Sequence, residues 1–463
     1  MNNPLIIALF TGGVLIAGCA PSVNSLTDKQ LEQAAAQGNN AARYLWGQKL
    51  AVRKEYADAM QMMKEASSGK GMSALSAEQR GNAARQVGDW YHTGLGEPRS
   101  DIQARYWWNK ASVLGDAAAS YSLAMDCQQR FGGKLETDCV DAFETAAVQG
   151  NSQAQLVLSN WYAARQGGEK NYLKWLRKSA ERGNAKAMAE LASLYESGQG
   201  VEKREDIAER LYWKAADKGN ASAQFWMAEH TEGKRAFDWY LKAARGNDLR
   251  AQRWIAQTCM AGKASSCDAK AGEMWLKKAV DGGDPQALYL YSEKQTSDAL
   301  RERYLVLAAK GNNASAQRAL ANRYYSRGES EKARKAWATL AAKGDPLSQV
   351  RYAEMLRLGQ GGKTDLLQAF KQYRFAANVG NHVAQYRLGL MRQDGLGVPR
   401  NRIHAYAWFS LATTEGMKEA LQSLNDLEAA MAPEEIKSAQ KLAALWEKRI
   451  SAGQEKRKEQ KNG

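Results

Sequence analysis

Proline is scarce, histidine is scarcer, and only one stretch of the chain is continuously apolar. The 463 residues include 7 Pro and 4 His, against 40 Gly and 44% hydrophobic residues. That balance excludes long disordered or proline-rich segments and suits a helical chain punctuated by glycine. His92, His230, His382 and His404 are widely separated, and neither a His-Glu-x-x-His pair nor a Gly-x-Ser-x-Gly elbow occurs. The zinc-hydrolase and serine-hydrolase constellations are therefore missing. Gly361-Gly362-Lys363-Thr364 approaches a phosphate loop, but Arg357 stands where that loop needs its first glycine. No cofactor and no metal are expected, and an enzyme is the least favoured class.

The one apolar run, Leu5 to Ala17, is interrupted by Thr11, Gly12 and Gly13 and ends at Ile16-Ala17-Gly18-Cys19. At about 13 residues it is too short to span a bilayer and long enough for the core of a signal peptide. The small pair before Cys19 resembles the bacterial lipobox, although Met1 to Pro4 carries no Lys or Arg. The resemblance implies cleavage after residue 18, lipidation of Cys19 and a tether over 19–26. Ala20 rather than Asp follows the cysteine, which by the same resemblance points to the outer membrane and its periplasmic face. A simple secretory signal and a buried N-terminal helix are the alternatives. Export makes nucleic acid an improbable partner despite the net charge of +15. A basic surface would meet acidic proteins, anionic lipid or polyanionic glycan, or would simply be solvated.

The rest of the chain repeats one phrase: Gly-Asn or Gly-Asp, then Ala-x-x-x-Leu-Gly/Ala, then an aromatic-rich segment ending near Lys-Ala-Ala. It is clearest at Gly183, Gly219, Gly344 and Gly380, with related starts at Gly38, Gly81, Gly115, Gly150, Gly246, Gly283, Gly311 and Gly416. The mean period of about 34 residues is that of a helix pair. In the copy from Gly183 to Asn220, helix A is expected over 184–196 and helix B over 204–218. Ala187, Leu191 and Tyr195 form one stripe, and Ala208, Leu211, Tyr212, Ala215 and Ala216 the facing one. The short intervals starting at Gly219 and Gly283 leave almost no inter-helix loop, as at Glu232-Gly233-Lys234-Arg235, whereas the long one from Gly38 carries Ser67-Ser68-Gly69-Lys70-Gly71. Thr27-Asp28-Lys29-Gln30 reads as a capping box opening the first helix.

Gly395-Leu396-Gly397-Val398 between the helices, and aromatic-x-x-Ala-Ala near the end of helix B, resemble the Sel1-like repeat family, a relative of the TPR repeats. His404 to Phe409, followed by Ala432-Pro433-Glu434-Glu435-Ile436, resembles the family's terminal unit. The resemblance spans most of the mature chain and implies an all-α solenoid, a right-handed superhelix of antiparallel helix pairs with a concave groove. The array is assigned to 27–450 and a charged, frayed tail to 451–463.

Four cysteines remain besides Cys19, an even number in an exported chain. Cys127 and Cys259 fall at the position of Tyr195, in the last turn of helix A, while Cys139 and Cys267 fall at or near the start of helix B. Each pair brackets an inter-helix loop, so Cys127–Cys139 and Cys259–Cys267 are the expected bonds, with four buried thiols as the alternative. Most Trp residues, among them Trp107, Trp108, Trp213, Trp239, Trp275, Trp337 and Trp408, lie on helix B and read as packing. Two positions after the Ala187-type residue stand Tyr44, Tyr121, Phe225, Tyr289 and Tyr386, with Arg253 and Arg318 in other copies. That position is turned by about 160° from the Leu191 stripe, facing a groove or wedged between repeats. Four residues further, Gln48, Asn160, Glu229, Gln257, Glu293, Asn322 and Glu354 make a polar row on nearly the same face. The two rows are the candidates for a partner-binding surface, with inter-repeat packing and a wet helix face as the competing reading. The functional expectation is an outer-membrane-anchored scaffold that binds a protein partner in the cell envelope. Its alternatives are an immunity protein holding an effector such as a lipase inactive, and an envelope or host-interaction factor.

Overall fold

The computed structural model describes residues 23–71, 74–414 and 416–462. Cys19 and the signal and lipidation reading lie outside the described residues. Among those described there are 25 α-helices and no strand. After a 3-10 turn at Val23–Ser25 come α1 (Asp28–Ala36), α2 (Asn40–Val52), α3 (Tyr56–Ser67), α4 (Ala77–Thr93), α5 (Asp101–Val113), α6 (Ala117–Arg130) and α7 (Thr137–Val148). They are followed by α8 (Ser152–Ala163), α9 (Glu169–Glu181), α10 (Ala185–Ser197), α11 (Glu205–Asp217), α12 (Ala221–Glu229) and α13 (Gly233–Arg245). Next are α14 (Leu249–Met260), α15 (Ala269–Asp281), α16 (Pro285–Glu293), α17 (Asp298–Lys310), α18 (Ala314–Ser326) and α19 (Ser330–Ala342). The last are α20 (Pro346–Leu358), α21 (Leu366–Ala377), α22 (His382–Asp394), α23 (Arg402–Thr413), α24 (Lys418–Glu428) and α25 (Pro433–Asn462). The fold is an all-α solenoid in which α2 to α23 form consecutive A/B pairs, and the chain divides into two compact units, Met1–Trp239 and Tyr240–Gly463.

The Gly-Asn/Asp phrase has a double task at every boundary. Gly183 (φ 86°) adopts the left-handed conformation that ends α9, with the Asn184 amide donating back to Ser179 O at 3.1 Å. Asn184 then caps α10, its Oδ1 accepting from the Ala187 amide at 3.1 Å. One residue thus closes a helix and the next opens another. The same cap recurs from Asn39, Asp116, Asn151, Asn220, Asp248, Asp284, Asn313, Asp345 and Asn381. At two boundaries the left-handed residue is not the glycine but the asparagine after it, Asn247 (φ 66°) and Asn312 (φ 64°). Asparagine tolerates that region because its short amide bonds locally.

In every pair but α4/α5, where Ser76 caps further upstream, the capped amide belongs to a small residue that is fully buried. Ala42, Ala83, Ala119, Ala154, Ala187, Ala223, Ala251, Ala287, Ala316, Ser348 and Ala384 are all 0% exposed. Five residues on, Gly47, Gly88, Ala124, Ser159, Ala192, Ala228, Ala256, Ser292, Ala321, Ala353 and Gly389 are likewise buried. Helix B presses against this second small position. A Cβ on Gly88 would lie 2.5 Å from Trp108 Cδ1, and one on Gly389 would overlap the Phe409 ring. Larger side chains fill the space beyond, with Phe143, Trp337, Tyr373 and Phe409 among the largest that are fully buried. On helix B, Trp108, Trp275, Trp337 and Trp408 are buried as expected, whereas Trp213 is 56% exposed.

In four places the fold departs from the sequence reading. The shortened repeats lose part of helix A as well as loop: α12 and α16 have 9 residues where α10 has 13. Gly233, read as loop, starts α13. Gly81 is not a boundary; it lies buried inside α4, which Ser76 opens with a capping box. The charged segment from 451 continues α25 in helical form to Asn462, and Gln454 Nε2 donates to Val379 O at 3.1 Å. The capping box at Thr27 and Gln30 forms as read.

Two outcomes test these contacts. Gly389→Val should destabilise the second unit by about 1–3 kcal/mol through displacement of Phe409, and an unshifted urea midpoint would contradict the close approach. At the start of α17, Asp298 accepts from Arg323 and Arg327, which hold its carboxyl at about 2, below the ordinary 3.8. A lowered acid stabilises the fold above its unfolded pKa, and that contribution fades as pH falls from about 4 to about 2. Amide exchange in α17 and α18 should therefore rise over this window in the wild type and stay flat in Asp298→Asn.

Candidate interaction site

The two rows proposed from the sequence separate once their contacts are known. Arg253 Nη1 donates to both carboxylate oxygens of Asp284, at 2.7 and 2.6 Å, while Asp284 caps the next helix A by accepting from the Ala287 amide at 2.6 Å. Arg318 reaches Asp345 in the same way at 3.4 Å, and the Tyr44 hydroxyl donates to Asn82 at 3.0 Å. These residues wedge repeat against repeat. Phe225 is 9% exposed, and Tyr386 packs on Phe409 with ring centroids 5.8 Å apart. Tyr289 is half-buried.

In the polar row, Glu354 is engaged inside the fold rather than open to a partner. It accepts from Arg357 at 2.6 Å, from Arg387 at 3.2 Å and from the Tyr373 hydroxyl, joining α20, α21 and α22. Burial opposes its charge, but the bonds from Arg357 and Tyr373 hold the carboxyl below the usual range. Burial and the bond to Glu354 push the Tyr373 hydroxyl up. Glu229 and Glu293 are exposed at the ends of the short helices α12 and α16.

Tyr121 borders a substantial recess. A cleft of about 670 Å³ opens between α4, α5 and α6, lined by Asp89, His92, Trp108, Tyr121, Met125 and Asp126 among others, with Gly132 and Gly133 on its rim. Helix α4 delivers Asp89 and His92 one turn apart. Gly88 lets Trp108 close against it, and Trp108 Nε1 donates to Asp89 Oδ1 at 2.8 Å. Arg85 bridges Asp89 (2.9 Å) and Asp116 (3.3 Å). Burial dominates at Asp89 and raises its carboxyl pKa despite these donors. The His92 ring sits 5.3 Å from Trp108, its Nδ1 3.1 Å from Asp101.

On the facing helix, Tyr121 packs edge-on to Phe143 with centroids 6.0 Å apart, and burial raises its hydroxyl pKa. Asp126 has a side chain only 12% exposed, with Arg105 at 3.3 Å and Arg130 at 3.1 Å. Its Oδ2 is buried, with Arg130 Nε as its ion-pair partner. Met125, 41% exposed, is the apolar lip. The recess thus offers aromatic and thioether surface, suited to holding an apolar side chain.

The rim is stapled. Cys127 of α6 is bonded to Cys139 of α7 with S–S 2.04 Å, and Cys259 to Cys267 with 1.97 Å. The first bond closes the loop carrying Gly132 and Gly133, where Gln128 Nε2 also donates to Gly133 O at 2.8 Å. Among the described residues, no group of acidic, His or Cys side chains could hold a metal ion.

Arg85 and Asp89 belong to the two rows but escaped the sequence reading, because Gly81 was taken as the boundary. The spacing Ala83…Gly88, identical to Ala384…Gly389 and Ala42…Gly47, carries the correct frame. A glutamine that follows the buried Ala or Ser was also missed. Gln155, Gln224, Gln252, Gln317, Gln349 and Gln385 each donate through Nε2 to a carbonyl near the end of the preceding helix B. Its recurrence after the same small residue was the available signal.

The Sel1 repeat profile matches residues 81–116, 152–184, 185–220, 221–248, 249–284, 346–381 and 382–417, more than half of the chain. Among solved structures, c5321, a protective antigen of uropathogenic Escherichia coli with an SLR fold, is similar at TM-score 0.72 and 24% identity, over 94% of this chain and 97% of that one. A Sel1 repeat protein from Oxalobacter formigenes gives TM-score 0.42 and 25% identity, covering 51% of this chain and 96% of its own. The immunity protein Pa5087 from Pseudomonas aeruginosa gives 0.29 and 17%, over 52% and 81%. No curated protein matches. Reducing Cys127–Cys139 should accelerate amide exchange in residues 128–138 and destabilise that helix pair by about 2–3 kcal/mol, and unchanged exchange there would show that the staple does not hold the rim.

Proposed function

The chain belongs to the Sel1 repeat family, and from that premise we propose that it is a non-catalytic docking protein whose α4–α6 cleft holds a segment of a protein partner. Proteins of this family mediate protein–protein interaction and are typically non-enzymatic. The observation that carries the reading to a place is the cleft of about 670 Å³ lined by Trp108, Tyr121 and Met125, the last exposed at its lip. An apolar side chain of the partner fills the aromatic recess. Arg253, Arg318 and Glu354 hold the repeats together instead of meeting the partner.

The location we propose is the periplasmic face of the outer membrane, with Cys19 acylated. The support is the apolar run and small pair before Cys19. No helix among the described residues is long and apolar enough to cross a membrane, so in this reading attachment rests on lipid, at about 0.8 kcal/mol per buried methylene. Cys19→Ala should move the protein from the membrane to the soluble periplasmic fraction; retention in the membrane would overturn the lipid anchor.

For the cleft, Met125→Glu places a charge on an exposed lip without entering the core. Crosslinking capture from intact cells should fall about ten-fold or more, as for a hot-spot residue, with helicity unchanged. Capture equal to wild type would remove the cleft from the binding surface. The Glu229→Lys, Glu293→Lys variant reads the exposed acids separately, and loss of capture there alone would move the site to α12 and α16.

A further inference from the structure

A second recess, of about 350 Å³, lies in the other compact unit where α25 returns against α21 and α23. It is lined by Arg374, Asn378, Trp408, Trp446, Arg449 and Ile450. Trp446 of α25 lies on Trp408 of α23 with centroids 4.3 Å apart, and His404 flanks it at 5.5 Å. Trp408 is 5% exposed, whereas both arginines are exposed and neither forms an ion pair among the described residues.

The charge of these two arginines is uncompensated, whereas other arginines at the repeat contacts are paired. Arg85, Arg105, Arg253, Arg318, Arg323 and Arg357 all pair with carboxylates. Arg374 stands in the last turn of α21, where one cation complements the helix dipole. That accounts for Arg374 but not for Arg449, which a different helix brings to the same recess. Arg392 adds to the excess: it lies over the Phe370 ring at 4.9 Å, and burial together with the charge of Arg374 lowers its pKa. Burial and Arg392 likewise lower the His404 pKa. An anion entering the recess meets positive potential from several sides and no carboxylate on its wall.

The wall selects among anions. Three of its six lining residues, Trp408, Trp446 and Ile450, are apolar, so a fully hydrated inorganic ion would leave half the recess unfilled. Planar guanidinium forks match a planar carboxylate by paired N–H bonds. We propose that this recess binds an organic carboxylate on an apolar carbon skeleton, with the carboxylate between Arg374 and Arg449 and the skeleton against Trp446 and Ile450. The Asn378 side-chain amide is placed to donate to a carboxylate oxygen or to a neighbouring polar group of the ligand.

Isothermal titration calorimetry on the full chain tests this with four probes: N-acetyl-L-phenylalanine, its amide, acetyl-Gly-Gly-Gly-Phe and inorganic phosphate. The free acid should bind at least ten-fold more tightly than the amide and than phosphate. Arg374→Gln and Arg449→Gln should each weaken it about ten-fold, the scale of one charge-assisted bond. Both substitutions are on exposed side chains, so unchanged circular dichroism is expected to accompany the loss. Tighter binding of the tetrapeptide would identify the terminus of a polypeptide as the source, and equal binding a free small acid; either supports the carboxylate site. Equal affinity for acid and amide, phosphate as good as the acid, absence of binding, or an Arg449→Gln chain that binds like wild type would overturn it.

Discussion

Everything in this solenoid follows from how closely the two helices of a pair approach at two small side chains on helix A. The first is Ala or Ser in every pair and is fully buried; the second is Gly, Ala or Ser. An interior packed to crystal-like density tolerates no extra methylene there. At two of the three glycines in the second position, Gly88 and Gly389, helix B presents Trp108 or Phe409 directly over it, and at Gly47 it presents Met62 and Met63. The size of the aromatic and the smallness of its seat are one constraint seen from two helices.

The boundary chemistry keeps that approach in register. An Asn or Asp cap fixes the amide of the first small residue, and a left-handed residue before it ends the previous helix. The glutamine beside the small residue then satisfies a carbonyl of helix B. Such a junction leaves few backbone groups of the helix ends unpaired, so repeats can stack without large loops. Arg253–Asp284 and Arg318–Asp345 tie successive repeats through the same capping carboxylates. Stability of this kind is a sum of pair and neighbour contacts, which leaves individual pairs free to differ in outer residues.

Period, helix pairing, the stripe and the cysteine pairings were legible because each rests on spacing along one helix or across one loop. What was illegible depends on which neighbour a side chain meets. Glu229 and Glu354 occupy equivalent positions in the frame, yet Tyr373, Arg357 and Arg387 engage only the latter. Nothing in the row itself distinguishes them; two of the residues that do, Tyr373 and Arg387, lie on other helices. Gly81 misled for a related reason, since a glycine that allows close packing and a glycine that allows a turn look the same in sequence. Counting from Ala83 to Gly88 instead brings Arg85 and Asp89 into the rows. The α4–α6 cleft is assembled from residues spread over 89–133 and becomes visible only when Trp108 closes on Gly88.

Function in this framework belongs to residues that packing does not claim. In the first unit the residues proposed for that role gather at Met125 and Tyr121, beside a stapled rim. In the second they converge at Arg374, Arg449 and Trp446. The most direct measurement is site-specific photo-crosslinking in intact cells, with benzoylphenylalanine at Met125 and, as a control of similar exposure, at Leu421. A discrete protein adduct from position 125 and none from 421 is the expected result. An adduct from 421 alone, or none from 125, would contradict the assignment of the cleft as the docking site.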